Sequence, residues 1–80
     1  MKVTVKRKVN IQEVPITTEF IKLQDAMKLA NLVESGGEAK VVIQEGDVSV
    51  NGEVCTQRGR KLRPGDSFSF EDNTFRITQA

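Results

Sequence analysis

Apolar residues recur along this chain at two spacings, and the points where one gives way to the other divide it into elements. From Met1 to Ile11 the spacing is two. Val3 and Val5 alternate with Thr4 and Lys6, which predicts a strand, although Arg7 breaks the apolar face. Pro15 ends or interrupts that strand. The β-branched Ile16, Thr17 and Thr18 predict a second short strand over 16–21. The spacing then becomes helical: Leu23, Ala26, Met27, Ala30 and Val33 share one side of a helix over 23–33. Asp25 suits its positive end, and Ser35-Gly36-Gly37 stops it, because glycine takes the left-handed cap conformation.

Ser35 also opens the next element. Ser35-Gly36-Gly37-Glu38 fits the S-x-x-E capping box, so a second helix is expected over 35–45, ending at Gly46. Ala39, Val42 and Ile43 share one face of it, and Lys40 and Gln44 the other. Val48 to Cys55 reads as a hairpin about an Asn51-Gly52 type I′ turn, with Val48 opposite Cys55 and on the same face as Val50. Arg63-Pro64-Gly65-Asp66 is a second turn. Phe68 and Phe70 alternate with serines, and Asp72-Asn73 turns the chain back into a strand over 74–78. That turn sets Phe70 opposite Phe75 and Phe68 opposite Ile77, four large apolar groups on one core face.

A chain of 80 residues with 38% hydrophobic and 29% charged positions has the balance of a globular protein. Its length predicts one domain over 1–80. A domain this small buries only about 60% of its unfolded surface and leaves little room for a deep catalytic cleft. No apolar run approaches the roughly 20 residues of a membrane span. No signal-peptide block occupies the start, and the lone Cys55 has no internal disulfide partner. The expectation is a cytoplasmic monomer without a membrane partner.

Net charge is only +1, but it is unevenly spread. Lys2, Lys6, Arg7 and Lys8 precede the first acid, Glu13. Arg58, Arg60, Lys61 and Arg63 occupy a stretch free of acids between Glu53 and Asp66. Segregated charge presents a basic face even on a nearly neutral protein.

Catalysis finds little support. The chain has no histidine, tyrosine or tryptophan, so neither a Cys–His pair nor a Ser–His–Asp triad can form within it. Cys/His metal clusters are excluded for the same reason, and Gly36-Gly37 lacks the lysine and hydroxyl of a phosphate-binding loop. No cofactor is expected. Cys55 reads as a small buried hydrophobe rather than a nucleophile.

Arg58-Gly59-Arg60-Lys61 is the most informative stretch. If it runs extended, Arg58 and Arg60 point one way and Lys61 the other, and two guanidinium forks on one edge suit bidentate phosphate contacts. The plain alternative is a solvated loop before the Pro64 turn. The backbone N–H groups at Gly36 and Gly37, at the start of the second helix, favour an anion that Lys40 could join. Ordinary capping by Ser35 and Glu38 is the alternative there. Of the four phenylalanines, only Phe20 falls outside the core pattern, so recognition by shape and phosphates fits better than base stacking.

The order of these pieces resembles a known family. The Ser-Gly-Gly-Glu-Ala-Lys helix, the Gly46-Asp47-Val48-Ser49-Val50-Asn51-Gly52 hairpin and Arg60-Lys61-Leu62-Arg63-Pro64-Gly65-Asp66 are similar to the RNA-binding domain first named from a small-subunit ribosomal protein, "S-four", also called the αL motif. Lys40 replaces the common arginine, and Gly36 stands where many members carry an arginine. Thr18 to Leu23, Ser35-Gly36-Gly37 and Arg58 to Leu62 resemble the stand-alone YaaA-type members. The likeness covers 20–70 as the motif core, with 1–11 as an extra basic strand or arm.

The resemblance implies an α+β fold of two packed helices against a small, mostly antiparallel sheet. It implies non-enzymatic binding of structured RNA, often ribosomal. The expected RNA-binding residues are Arg58, Arg60 and Lys61, with Lys40, Lys28, Gly36 and Gly37. A DNA-binding accessory and a protein-interaction module are the alternatives.

Overall fold

A computed structural model describes residues 11–80; the strand expected over 1–11 lies outside them apart from Ile11. The elements are β1 (Ile11–Ile16), β2 (Ile21–Lys22), α1 (Leu23–Leu29), α2 (Gly36–Gln44), β3 (Val48–Val50), β4 (Glu53–Val54), β5 (Lys61–Leu62), β6 (Ser67–Phe70) and β7 (Asn73–Gln79). Five strands form one sheet in the order β1-β7-β6-β3-β4, and β2 and β5 form a separate ribbon. Every pairing is antiparallel except β1 with β7. Two helices and a mostly antiparallel sheet make the fold α+β, as expected. No helix among the described residues is long and apolar enough to cross a membrane.

Burial follows the two periodicities. Leu23, Ala26 and Met27 of α1, Ala39 and Ile43 of α2, and Val48, Val50, Phe68, Phe70, Phe75 and Ile77 of the sheet belong to one hydrophobic cluster. At its centre the Phe68 and Phe75 rings stack, with centroids 5.0 Å apart and planes 19° apart. Ser49, Ser69 and Thr74 lie between these positions and face outward, partly exposed.

Both helices end in the same hydrogen-bond pattern. At the end of α1, Asn31 N–H donates to Lys28 O at 3.0 Å and Leu32 N–H to Met27 O at 2.9 Å. At the end of α2, Gly46 donates to Ile43 O and Asp47 to Val42 O, each at 3.1 Å. These are Schellman closures, which need a left-handed residue just past the cap. Gly46 supplies it at φ +84°, as its composition predicts, and Asn31 does so at φ +61°. The helix expected over 23–33 therefore stops at Leu29, well before the glycines, because asparagine also tolerates the left-handed region. Val33 remains buried beyond the helix end.

Two further expectations are corrected. The final hairpin turns at Glu71-Asp72, not Asp72-Asn73, so Phe68 faces Phe75 and Phe70 faces Asn73. The shift is two residues. It preserves the alternation, and all four apolar side chains remain on the core face. Pro15 does not break its strand: β1 crosses it, and the separate strand expected over 16–21 is reduced to Ile21–Lys22. Among the described residues β1 is an edge strand, and Ile16 O, facing inward, accepts from Ala80 N–H at 2.8 Å. Alternation then aims the Pro15 nitrogen away from β7, where a missing N–H costs no bond of the β1–β7 ladder.

Glu71 and Asp72 both hold positive φ, at +52° and +67°, which strains residues with a Cβ. Replacing them by Asn-Gly is expected to stabilise the protein by about 1 kcal/mol, raising its melting temperature by about 4–8 °C. A thermal melt followed by circular dichroism checks this; a lower midpoint would contradict the left-handed turn.

Candidate functional site

The start of α1 carries no side-chain cap. Lys22 occupies the N-cap position in an extended conformation and has no acceptor to offer. Helix N-termini nevertheless need acceptors for their first N–H groups. Here a distant loop provides them: Leu23 N–H donates to Arg60 O at 2.8 Å, and Gln24 N–H to Arg58 O at 3.1 Å. To turn both carbonyls toward the helix the loop bends, and Arg60 N–H closes a turn onto Gln57 O at 3.2 Å. Arg58-Gly59 is thus the centre of a turn, and extended backbone begins only at Lys61. The alternation expected of an extended Arg58 to Lys61 segment does not occur. All four residues are exposed, and the space around Gly59 is open.

The loop leads into the β2–β5 ribbon, where Ile21 pairs with Leu62 and Lys22 with Lys61. Leu62 is completely buried and Ile21 partly so, while both lysines are exposed. Leu62 thereby anchors the ribbon and turns the lysines outward. Phe20 and Arg63 extend the outward row. Lys61 Nζ stands 4.9 Å from the centroid of the Phe20 ring and Arg63 Cζ 6.0 Å from it. Directly opposed like charges oppose strand pairing, and the ring quadrupole partly offsets the repulsion. Lys22 and Phe20 escape notice in the sequence as site residues, because the two pairing segments are only two residues each.

The other expected site residues are more scattered. Lys40 is exposed on α2. Lys28 forms an i,i+3 ion pair with Asp25 at 3.4 Å. Among the described residues that is the one ion pair, so Lys22, Lys40, Arg58, Arg60, Lys61 and Arg63 have no carboxylate within 4.0 Å. Gly36 and Gly37 border an N-terminus that is already occupied. Glu38 N–H donates to Ser35 Oγ at 3.2 Å, and Glu38 Oε1 accepts from Glu34 N–H at 2.8 Å. The reciprocal bond of the expected capping box thus goes to Glu34, one residue before the N-cap Ser35, and it places a carboxylate where an anion would sit.

Asp66, the acid nearest the basic stretch, is held by a turn. Its Oδ2 accepts from Arg63 N–H at 2.9 Å and its Oδ1 from Asn51 Nδ2 at 3.3 Å, while Asn51 Oδ1 accepts from Ser67 N–H at 3.0 Å. The Val-Asn-Gly and Pro-Gly-Asp segments are thus bonded to each other. Cys55 is buried, with Sγ directed at Gln57 O 3.6 Å away. A cavity of about 590 Å³ is lined by Val42, Asp47, Ser49, Ser69, Phe70, Glu71 and Asp72 and contains none of the basic residues. No cluster of three or more His, Cys, Asp or Glu side chains suited to a metal occurs among the described residues.

Lys22 thus pairs with a like charge in the fold. Lys22→Glu replaces a repulsive cross-strand pair with an attractive one and is expected to raise stability by about 0.2–1 kcal/mol. The urea midpoint measures this; a fall of similar size would mean the two ammonium groups do not repel.

The S4 domain family matches residues 14–78. Among curated proteins, the "Probable ribosome maturation protein RlbA" of Bacillus subtilis (strain 168) is 45% identical over 58 residues, spanning 72% of this chain and 82% of that protein. YbcJ of Escherichia coli (strain K12) is 37% identical over 57 residues, spanning 71% and 81%. The solution structure of E. coli YbcJ, described as revealing an αL motif involved in RNA binding, superposes with a TM-score of 0.59 at 29% identity. That superposition covers 96% of this chain and 99% of YbcJ. With the match spanning β1 to β7, the chain belongs to the S4 domain family.

Proposed function

We propose that this protein is a non-catalytic, cytoplasmic binder of structured RNA, probed most sensibly with ribosomal RNA, and that it acts as a monomeric single domain. The observation that carries this reading is the unneutralised basic surface: Lys22 opposite Lys61, Arg63 beside them, and Arg58 and Arg60 on the adjoining turn, with no carboxylate partner among the described residues. A cluster that costs stability in the free protein is offset by an anionic partner. The YbcJ motif and the ribosome-maturation name of RlbA support RNA as that partner.

Phosphates supply the grip and orientation in this scheme, with sequence read weakly. Arg58 and Arg60 provide planar forks and Lys61 a point charge. Lys40 contributes from α2. Lys28 and the Gly36-Gly37 start of α2 are marginal, since each adjoins a carboxylate, Asp25 or Glu38. Phe68, Phe70 and Phe75 are buried and unable to stack on bases.

Two measurements test the proposal. Raising salt fourfold should weaken binding of a ribosomal RNA stem-loop on the order of tenfold to a thousandfold, as expected for about three to five phosphate contacts. Duplex DNA run in parallel should bind more weakly. Salt-independent RNA binding contradicts the phosphate grip, and stronger DNA binding makes the protein a DNA accessory.

The second measurement concerns the turn. Arg58→Ala/Arg60→Ala keeps both capping carbonyls and removes only exposed side chains. Charge-assisted contacts contribute roughly 1.5–3 kcal/mol each, so affinity should fall more than about tenfold. Stability should change by less than about 0.5 kcal/mol. Unchanged RNA affinity would favour a protein-interaction role, and a collapsed melting temperature would make these arginines structural.

A further inference from the structure

Lys61 and Arg63 end in long, rotamer-rich side chains on the outward face of a short ribbon. Among the described residues neither side chain makes a hydrogen bond or an ion pair. The one directional contact that both share is the ring of Phe20, at 4.9 Å from Lys61 Nζ and 6.0 Å from Arg63 Cζ. The ribbon that carries Phe20 is anchored one residue on: Ile21 and Leu62, the next pair, are packed on or within the core. Thr18 Oγ1 also donates to Phe20 O at 2.8 Å, fixing the backbone ahead of the ring.

We infer that Phe20 is a positioning residue for RNA binding: its ring gathers Lys61 and Arg63 into one cluster before the RNA arrives. The inference rests on the RNA-binding reading above and adds to it the group that orders the site. Without the ring, Lys61, which faces Lys22, and Arg63 would spread apart, and binding would have to restrict their rotamers anew. With it, part of that ordering is complete in the free protein, and preorganisation of this kind strengthens binding without adding a contact. Lys61 stands over the ring, so Phe20 acts through the cations rather than as a platform for a base.

The test is a double-mutant cycle on the full chain, with a ribosomal RNA stem-loop as probe. Dissociation constants are measured for wild type, Phe20→Leu, Lys61→Ala/Arg63→Ala and the triple variant. Phe20→Leu should weaken binding about threefold to tenfold with little change in melting temperature, and Phe20→Trp should restore wild-type affinity. In the Lys61→Ala/Arg63→Ala background, Phe20→Leu should cost nothing further. The same loss with or without the two cations would mean that Phe20 touches RNA directly and would overturn the role, as would no loss at all.

The free protein gives an independent reading that survives an unfolded Phe20→Leu. By NMR, the Lys61 methylenes next to Nζ should be shifted upfield by the ring current in wild type. Random-coil shifts there would overturn the inference even if RNA binds. Failure of wild type to bind the stem-loop at any salt concentration would instead sink the RNA-binding function, and this role with it.

Discussion

The basic surface depends on a hydrogen-bonded cap. The first N–H groups of α1 have no local acceptor, because Lys22 stands where a serine or aspartate usually would. They are satisfied by the carbonyls of Arg60 and Arg58, far along the chain. Burying those N–H groups unpaired would carry a desolvation penalty, so helix and loop are obliged to meet. Once they do, Lys61 falls beside Lys22, Leu62 enters the core, and the turn at Arg58-Gly59 projects its side chains into solvent. The cap uses main-chain oxygen only. The side chains of the same residues are therefore free for another task.

Charge is arranged by a second constraint. Asp66 is the carboxylate nearest the Arg58–Arg63 stretch in sequence, and both of its oxygens are committed to the Arg63 backbone and to Asn51. Glu38 is likewise committed to the start of α2, and Asp25 to Lys28. These three acids are occupied elsewhere, and none of the others, Glu19 included, forms an ion pair with a basic residue among the described residues, so the cations face one another and Phe20. Cross-strand repulsion of this kind is a cost in the folded protein alone. It becomes an advantage when a polyanion supplies the missing charge, as the proposed RNA partner would.

Membership of the S4 family fits the same account. The segments by which the sequence resembles that family are mostly those that make the scaffold. Asn51 and Asp66 bond two turns together, Gly46 closes α2, and Ser35 opens it. The residues proposed to meet RNA lie on and beside that scaffold, where exposed side chains vary without disturbing it.

The amino-acid sequence by itself determined the features that one or a few neighbouring residues decide. Asn51-Gly52 made the first hairpin and its register, Ser35 and Glu38 began α2, Gly46 ended it, and Pro64-Gly65 turned the chain, because backbone preference and capping act within a few residues. The alternation Phe68, Phe70, Phe75, Ile77 identified the core face even though the turn lay one residue earlier, since a two-residue slip leaves the faces unchanged. Asn31 also carried a local signal, outweighed in the sequence by the apolar positions continuing to Val33. What only the tertiary structure decided was pairing between distant segments. That β1 runs through Pro15 follows from its place at the sheet edge beside β7. The bend of Arg58-Gly59 follows from the needs of α1. The juxtaposition of Phe20, Lys22, Lys61 and Arg63 follows from a two-residue ribbon whose partners lie far apart in sequence. Segments so short have no periodicity of their own, so their geometry comes from the hydrogen bonds and buried Leu62 that other elements impose.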